Sequence, residues 1–183
     1  MKLIVVILYL SFTGFCLKAQ EIDTEKSFAE FEVKHMKNHI VEGTITGFQG
    51  EVHFNRNNIY TSRINISAEV STINTDFERR DTMLLGKSYF DVLKYPKIIF
   101  KSTSFEQSNE TYIVKGDLTI KETTEEISIP FTFTSTEKQM IFKGIFSIDR
   151  FDYEVGKNVS TITVSEKVNI CIKCILKTKK SKN

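Results

Sequence analysis

The chain has 183 residues, with 25 Lys and Arg against 23 Asp and Glu and a formal net charge of +2. That length gives one domain with a sizeable core, and the near-neutral balance supplies no field for holding nucleic acid without sequence preference. With two prolines, no Pro/Ser-rich linker and no repeat, nothing divides it further.

The first segment, MKLIVVILYLSFTGFCLKA, places Lys2 ahead of an apolar run that begins Leu3–Leu10, and small Ala19 ahead of polar residues. This is the order of a cleaved secretory signal. Residues 1–19 are therefore expected to leave and the domain to span 20–183, exported to the periplasm or secreted. The run is too short, and too interrupted by Ser11, Thr13 and Gly14, for a membrane anchor. Cys16 follows bulky Phe15, which disfavours lipid attachment there. Loss of Lys2 and Lys18 lowers Lys plus Arg from 25 to 23 against 23 acids, a formally neutral chain.

Alternation of apolar and polar residues then dominates. FEVKH sets Phe31, Val33 and His35 on one face, and EVHF sets Val52 and Phe54. RINISAEVS sets Ile64, Ile66, Ala68 and Val70. The next segment, NTDFERRDTMLLGKS, breaks the pattern. Thr75 and Glu78 have capping-box spacing and Gly86 is a helix stop, so a short helix is expected at about 76–85. Leu84 and Leu85 would plug one end of the sheet. A strand follows Pro96 and carries Phe100. YIVKGDLTI sets Tyr112, Val114, Gly116, Leu118 and Ile120 in one phase. ISIPFTF sets Ile127, Ile129, Phe131 and Phe133, and MIFKGIFSI sets Met140, Phe142, Gly144, Phe146 and Ile148. Gly116 and Gly144 in apolar phases relieve crowding or permit coiling. A last strand, 161–176, puts Cys171 and Cys174 on opposite faces, where no bridge forms. About eight hairpin-linked strands give an all-β, antiparallel sheet closed into a barrel, its interior either filled or holding one small ligand.

Residues with reactive chemistry are sparse. His35 and His39 sit where a strand enters a loop and are expected to diverge, so no metal or cofactor site is expected. No nucleophile elbow, phosphate loop or HExxH motif occurs, and no catalytic residue is assigned. Arg80 and Asp81 either fasten the helix through ion pairs or offer Arg80 to a ligand head group.

Four stretches together resemble the YceI-like family of exported lipid-binding proteins. They are FEVKHM with VEGTITGFQGEVHF, STINTDFERRDTMLLGKSYFDVLKYPKIIFKS, VKGDLTIKETTEEISIPF, and FKGIFSIDRFDYEVG. The resemblance implies an eight-stranded lipocalin-like barrel with an apolar tunnel for a polyisoprenoid or other long-chain amphiphile. Two departures from the family pattern read as turn variations, either of which would alter a tunnel mouth: the loop after GDLTI carries Glu122 in KETTEE where a Gly is usual, and the small Gly usual after IDR is displaced to Gly156 in FDYEVG. By phase, the expected tunnel wall is Phe31, Val33, Phe54, Ile64, Ile66, Phe100, Val114, Leu118, Phe131, Phe133, Phe142 and Phe146, with His35 and Arg80 as head-group contacts. The expected function is a non-enzymatic lipid carrier. Its rivals are a filled barrel that docks proteins and a lipid-modifying enzyme. Oligomeric state is left open, a homodimer included.

Overall fold

The structure is a computed structural model that describes residues 20–36, 39–109 and 111–177. The expected signal and most of the basic tail lie outside the described residues. The strands are β1 (Glu21–Ile22), β2 (Phe28–His35), β3 (His39–Ile45), β4 (Gln49–His53), β5 (Arg63–Glu69), β6 (Lys97–Ser108), β7 (Thr111–Ile120), β8 (Thr123–Ser135), β9 (Gln139–Asp149) and β10 (Val164–Lys177), with helix α1 (Glu78–Leu85) between β5 and β6.

All pairings are antiparallel and follow the order β3-β2-β10-β9-β8-β7-β6-β5-β4, with β1 on β10. The two ends of that path, β3 and β4, are consecutive in the chain and behave as one bent strand. Gly47, at φ 68°, makes the bend. Past the bend, Glu69 N–H still donates to Thr46 O at 3.2 Å, and Thr44 pairs with Asn74. On the other side Gln20 bridges to Val52 of β4 while β1 pairs with β10. The curled sheet is thereby closed around one interior.

The alternation holds where it was strongest. In β7 every second residue from Tyr112 to Ile120 is buried. Gly116 has a packing reason: a Cβ there would collide with the Lys101 carbonyl and lie 2.7 Å from the Phe100 ring. Cys171 and Cys174 are both free, and Cys174 is buried.

The sheet has ten strands rather than the expected eight. β1 has two residues, too few to show alternation. In β3 the inward phase includes Gly43 while outward Ile40 is 60% exposed, so hydropathy conceals the strand. Because β3 is a strand, His35 and His39 do not diverge. They stand opposite each other across the β2–β3 hairpin. Helix α1 starts at Glu78, not 76, and its N-cap Phe77 offers no side-chain bond. Instead Asp81 reaches back and accepts hydrogen bonds from Thr75 N and Oγ1.

Candidate functional site: a lidded apolar cavity

The registers sort the connections into two ends. At one lie the loop after β4 and the β6–β7 and β8–β9 hairpins. This end is filled. Phe54 sits at its centre, with ring centroids of Phe133 at 4.9 Å, Phe142 at 5.3 Å, Tyr112 at 5.4 Å, Phe131 at 5.8 Å and Phe105 at 6.5 Å. Edge-to-face and tilted rings at these separations attract one another beyond plain area burial. Phe105 enters this plug because a bulge between Ser102 and Ser104 shifts β6 by one residue.

The opposite end is hollow. A cavity of 180 Å³ lies among β2, β5, β6, β7, β9 and β10, and a second of 80 Å³ lies between it and the aromatic plug. Both are bounded by Ile66, Phe100, Leu118, Phe146 and Ile172, which form a partition between them. Three segments cover the larger cavity: α1 through Leu84, the crossover after it through Tyr89 and Phe90, and the β9–β10 connection through Arg150, Tyr153 and Val155.

The cover is built around Arg150, which is 4% exposed. Its guanidinium donates from Nε to Ser165 O (3.0 Å), from Nη1 to Val155 O (3.0 Å) and Gly156 O (2.6 Å), and from Nη2 to Val159 O (2.7 Å) and Val164 O (3.0 Å). Arginine has five N–H donors in a planar fork, and here each meets a backbone carbonyl. The plane also lies 4.0 Å from the Phe151 ring. Burial lowers the Arg150 pKa, and the nearby charges of Tyr89, Asp149 and Glu166 oppose that shift.

The two departures from the family pattern are joints of this cover. Gly156, at φ 59°, donates its N–H to Ser88 O at 3.1 Å, and a Cβ there would lie 2.8 Å from the Tyr89 ring. Glu122 accepts a hydrogen bond from Tyr95 Oη at 2.8 Å and pairs with Lys94 at 3.7 Å, fastening the crossover to the β7–β8 turn. These two contacts, the Tyr95 hydrogen bond first, hold the Glu122 carboxyl below its ordinary pKa.

Of the expected wall, Phe31 and Val33 line the larger cavity, and Ile64, Val114, Phe131 and Phe142 the smaller. Ile66, Phe100, Leu118 and Phe146 line both. Phe54 and Phe133 line neither, because they are spent in the aromatic plug. His35 is half-buried at the hairpin and also lines neither. Arg80 faces Thr75, donating Nε to Oγ1 at 2.8 Å and Nη2 to the carbonyl at 3.2 Å. These bonds tie the Arg80 guanidinium to Thr75, just ahead of the helix, where the structural alternative expected ion pairs. Sequence reasoning missed Phe48, Tyr89, Phe90, Arg150, Tyr153 and Val155. The available signal was the apolar content of FDYEVG, since a loop that carries Phe, Tyr and Val covers an apolar surface.

A YceI-like domain model matches residues 20–176. A UPF0312 protein of Photorhabdus laumondii is 30% identical over 107 residues, 58% of this chain and 56% of that protein. A UPF0312 protein of Yersinia pestis is 29% identical over 116 residues, 62% of this chain and 60% of its own length. The chain thus matches somewhat over half the length of these relatives. Among solved structures, BcnA of Burkholderia cenocepacia superposes with a TM-score of 0.80 at 25% identity, covering 85% of this chain and 99% of that one. A polyisoprenoid binding domain from Saccharophagus degradans, implicated in plant cell wall breakdown, gives a TM-score of 0.71 at 11% identity over 88% and 99%. With the matched segment running from Gln20 to Leu176, through every strand of the barrel, the chain belongs to the YceI-like family.

Proposed function

We propose that this protein is an exported carrier that sequesters the apolar chain of a polyisoprenoid-like amphiphile inside its barrel. The observation that carries the reading is the 180 Å³ cavity, whose walls are aliphatic and aromatic. Its lining includes no His and no carboxylate; its titratable groups are Arg150, Tyr89 and Tyr153. Such walls bind by excluding water and offer no nucleophile with an adjacent base, which favours a binding protein over an enzyme. The cavity also argues against a barrel filled throughout, although the plug end is filled.

The size sets a condition. An apolar cavity of ~150 Å³ holds a guest the size of benzene. The closed form therefore takes about one isoprene unit, and a longer tail enters by moving the Phe100, Leu118 and Phe146 side chains that separate the two cavities. Burial gives ~0.8 kcal/mol per CH₂, roughly 3–4 kcal/mol per isoprene unit, before the cost of those movements. Affinity for prenols should therefore rise steeply over the first units and then level off at the aromatic plug.

Titration of the purified domain with prenols of two to eight units tests this. Saturable binding of one prenol per chain, with that length dependence, is expected. Absence of saturable binding at every length overturns the proposal. Export is tested by sequencing the amino terminus of protein recovered outside the cytoplasm; Gln20 is expected as its first residue.

A further inference from the structure

We infer that His35 and His39 form a two-imidazole site for a divalent transition-metal ion, with copper(II) held most tightly, at the lid-end rim of the barrel.

As members of a strand and a loop the two imidazoles would part. As members of two paired strands they share a face. His35 ends β2, His39 begins β3, and the two are direct cross-strand partners. Directly opposed residues of an antiparallel pair have Cβ atoms ~4.5–5.5 Å apart. From that separation two imidazoles can reach one ion at the usual metal–nitrogen distance of ~2.0–2.1 Å. The preceding pairs on the same face are Val33 with Val41 and Phe31 with Gly43, so the histidines continue the inward phase to the rim. Val33 lines the larger cavity, as does Val164, the partner of His35 on β10.

The surroundings suit a metal. The backbone of the pair is fixed, because β2 is bonded to β3 on one side and to β10 on the other, and Met36 N–H donates to Thr163 O at 2.9 Å. The two ligands are thus brought together before an ion arrives, which lowers the ordering cost of binding. Neither ring makes a hydrogen bond or ion pair among the described residues. Lys34, the cation of these two strands next to the pair, is opposed to Ile40 and so belongs to the other face. His39 is exposed and His35 half-buried, which leaves the outer side open to solvent. Among the described residues no carboxylate or cysteine completes a three-ligand group. The protein therefore supplies two nitrogens, and water or another oxygen donor fills the remaining positions. Imidazole suits copper, nickel and zinc, and the affinity of a nitrogen site peaks at copper(II). Calcium and magnesium take oxygen ligands and are not expected to bind.

Copper(II) titration of untagged protein, followed by calorimetry and electron paramagnetic resonance, tests this. One copper(II) per chain is expected, with hyperfine structure from two imidazole nitrogens. His35→Ala and His39→Ala should each lower affinity at least about tenfold, because the second ring binds as an intramolecular ligand. The two losses should not add in the double variant. His53→Ala, at the third histidine, should leave affinity unchanged. Absence of copper binding overturns the inference, and so does an affinity that either single substitution leaves intact. If a variant fails to fold, nuclear magnetic resonance of the wild type decides. Substoichiometric copper(II) must broaden the imidazole signals of His35 and His39 together and leave those of His53 sharp. Broadening of one of the pair without the other overturns the inference.

Discussion

Arg150 is the keystone of the lid end, and its removal has a calculable cost. Arg150→Met retains the stem and deletes the head, stranding the carbonyls of Val155, Gly156, Val159, Val164 and Ser165. Each stranded buried carbonyl costs ~1–3 kcal/mol. Relaxation of the connection will let water reach some of them, so a loss of about 3 kcal/mol is expected with only two or three left dry. Arg150→Lys restores the charge with three donors on a single atom, which cannot reach five carbonyls spread over the loop. It should recover only part of the loss, about 1 kcal/mol. Against a total stability of ~5–15 kcal/mol, a 3 kcal/mol loss lowers the melting temperature by about 6–12 °C in a domain of this size. Urea denaturation read by far-ultraviolet circular dichroism measures it directly. If both variants lie within about 1 kcal/mol of wild type, the guanidinium is not what holds the cover in place.

Other consequences follow from the same geometry. Ala68→Phe places a ring in the larger cavity; the fold should survive with a melting temperature within a few degrees of wild type while prenol affinity falls by more than about tenfold. Phe146→Ala removes part of the partition, and should cost about 3–5 kcal/mol in the empty protein while shifting preference toward longer prenols. Thr75→Val deletes the hydroxyl between Arg80 Nε and the Asp81 carboxylate. A loss of about 1–2 kcal/mol is expected, with faster amide exchange in α1 and unchanged exchange in β7. Burial raises the Cys174 pKa from 9.0 to about 11. Folded protein then holds a proton that the unfolded chain has lost, so this contribution is complete below pH 9 and falls as pH rises to about 11. Cys174→Ala should flatten that part of the alkaline unfolding profile.

The barrel was legible because its strands alternate cleanly. β7, β9 and the Ile127–Phe133 stretch of β8 each place apolar residues or Gly at every second position, and a closed sheet is the arrangement that buries such faces without leaving edges. β3 was hidden because contacts across the barrel, not hydropathy, decide its inward residues. Gly43 stands inward to make room for the Phe31 ring, since a Cβ there would collide with it. Half of the site was legible for the same reason: wall residues on strands obey a period of two. Phe54 and Phe133 had the right phase, but phase says which face a residue occupies and nothing about its height along the barrel. Both lie at the filled end. The cover was not legible, since its geometry depends on Arg150 binding five carbonyls scattered between residues 155 and 165, a pattern with no periodicity. Arg80 and Arg150 illustrate the limit: the sequence draws attention to the charge cluster on the helix, while the buried charge at the cavity sits between Asp149 and Asp152 in IDRFDY with no sign of its burial.

Native mass spectrometry of the protein purified from its native source tests the carrier reading most directly. A bound lipid is expected, one per chain, released on activation and absent from Ala68→Phe. Protein that emerges at its bare polypeptide mass, and stays there after incubation with prenols of every length, would contradict it.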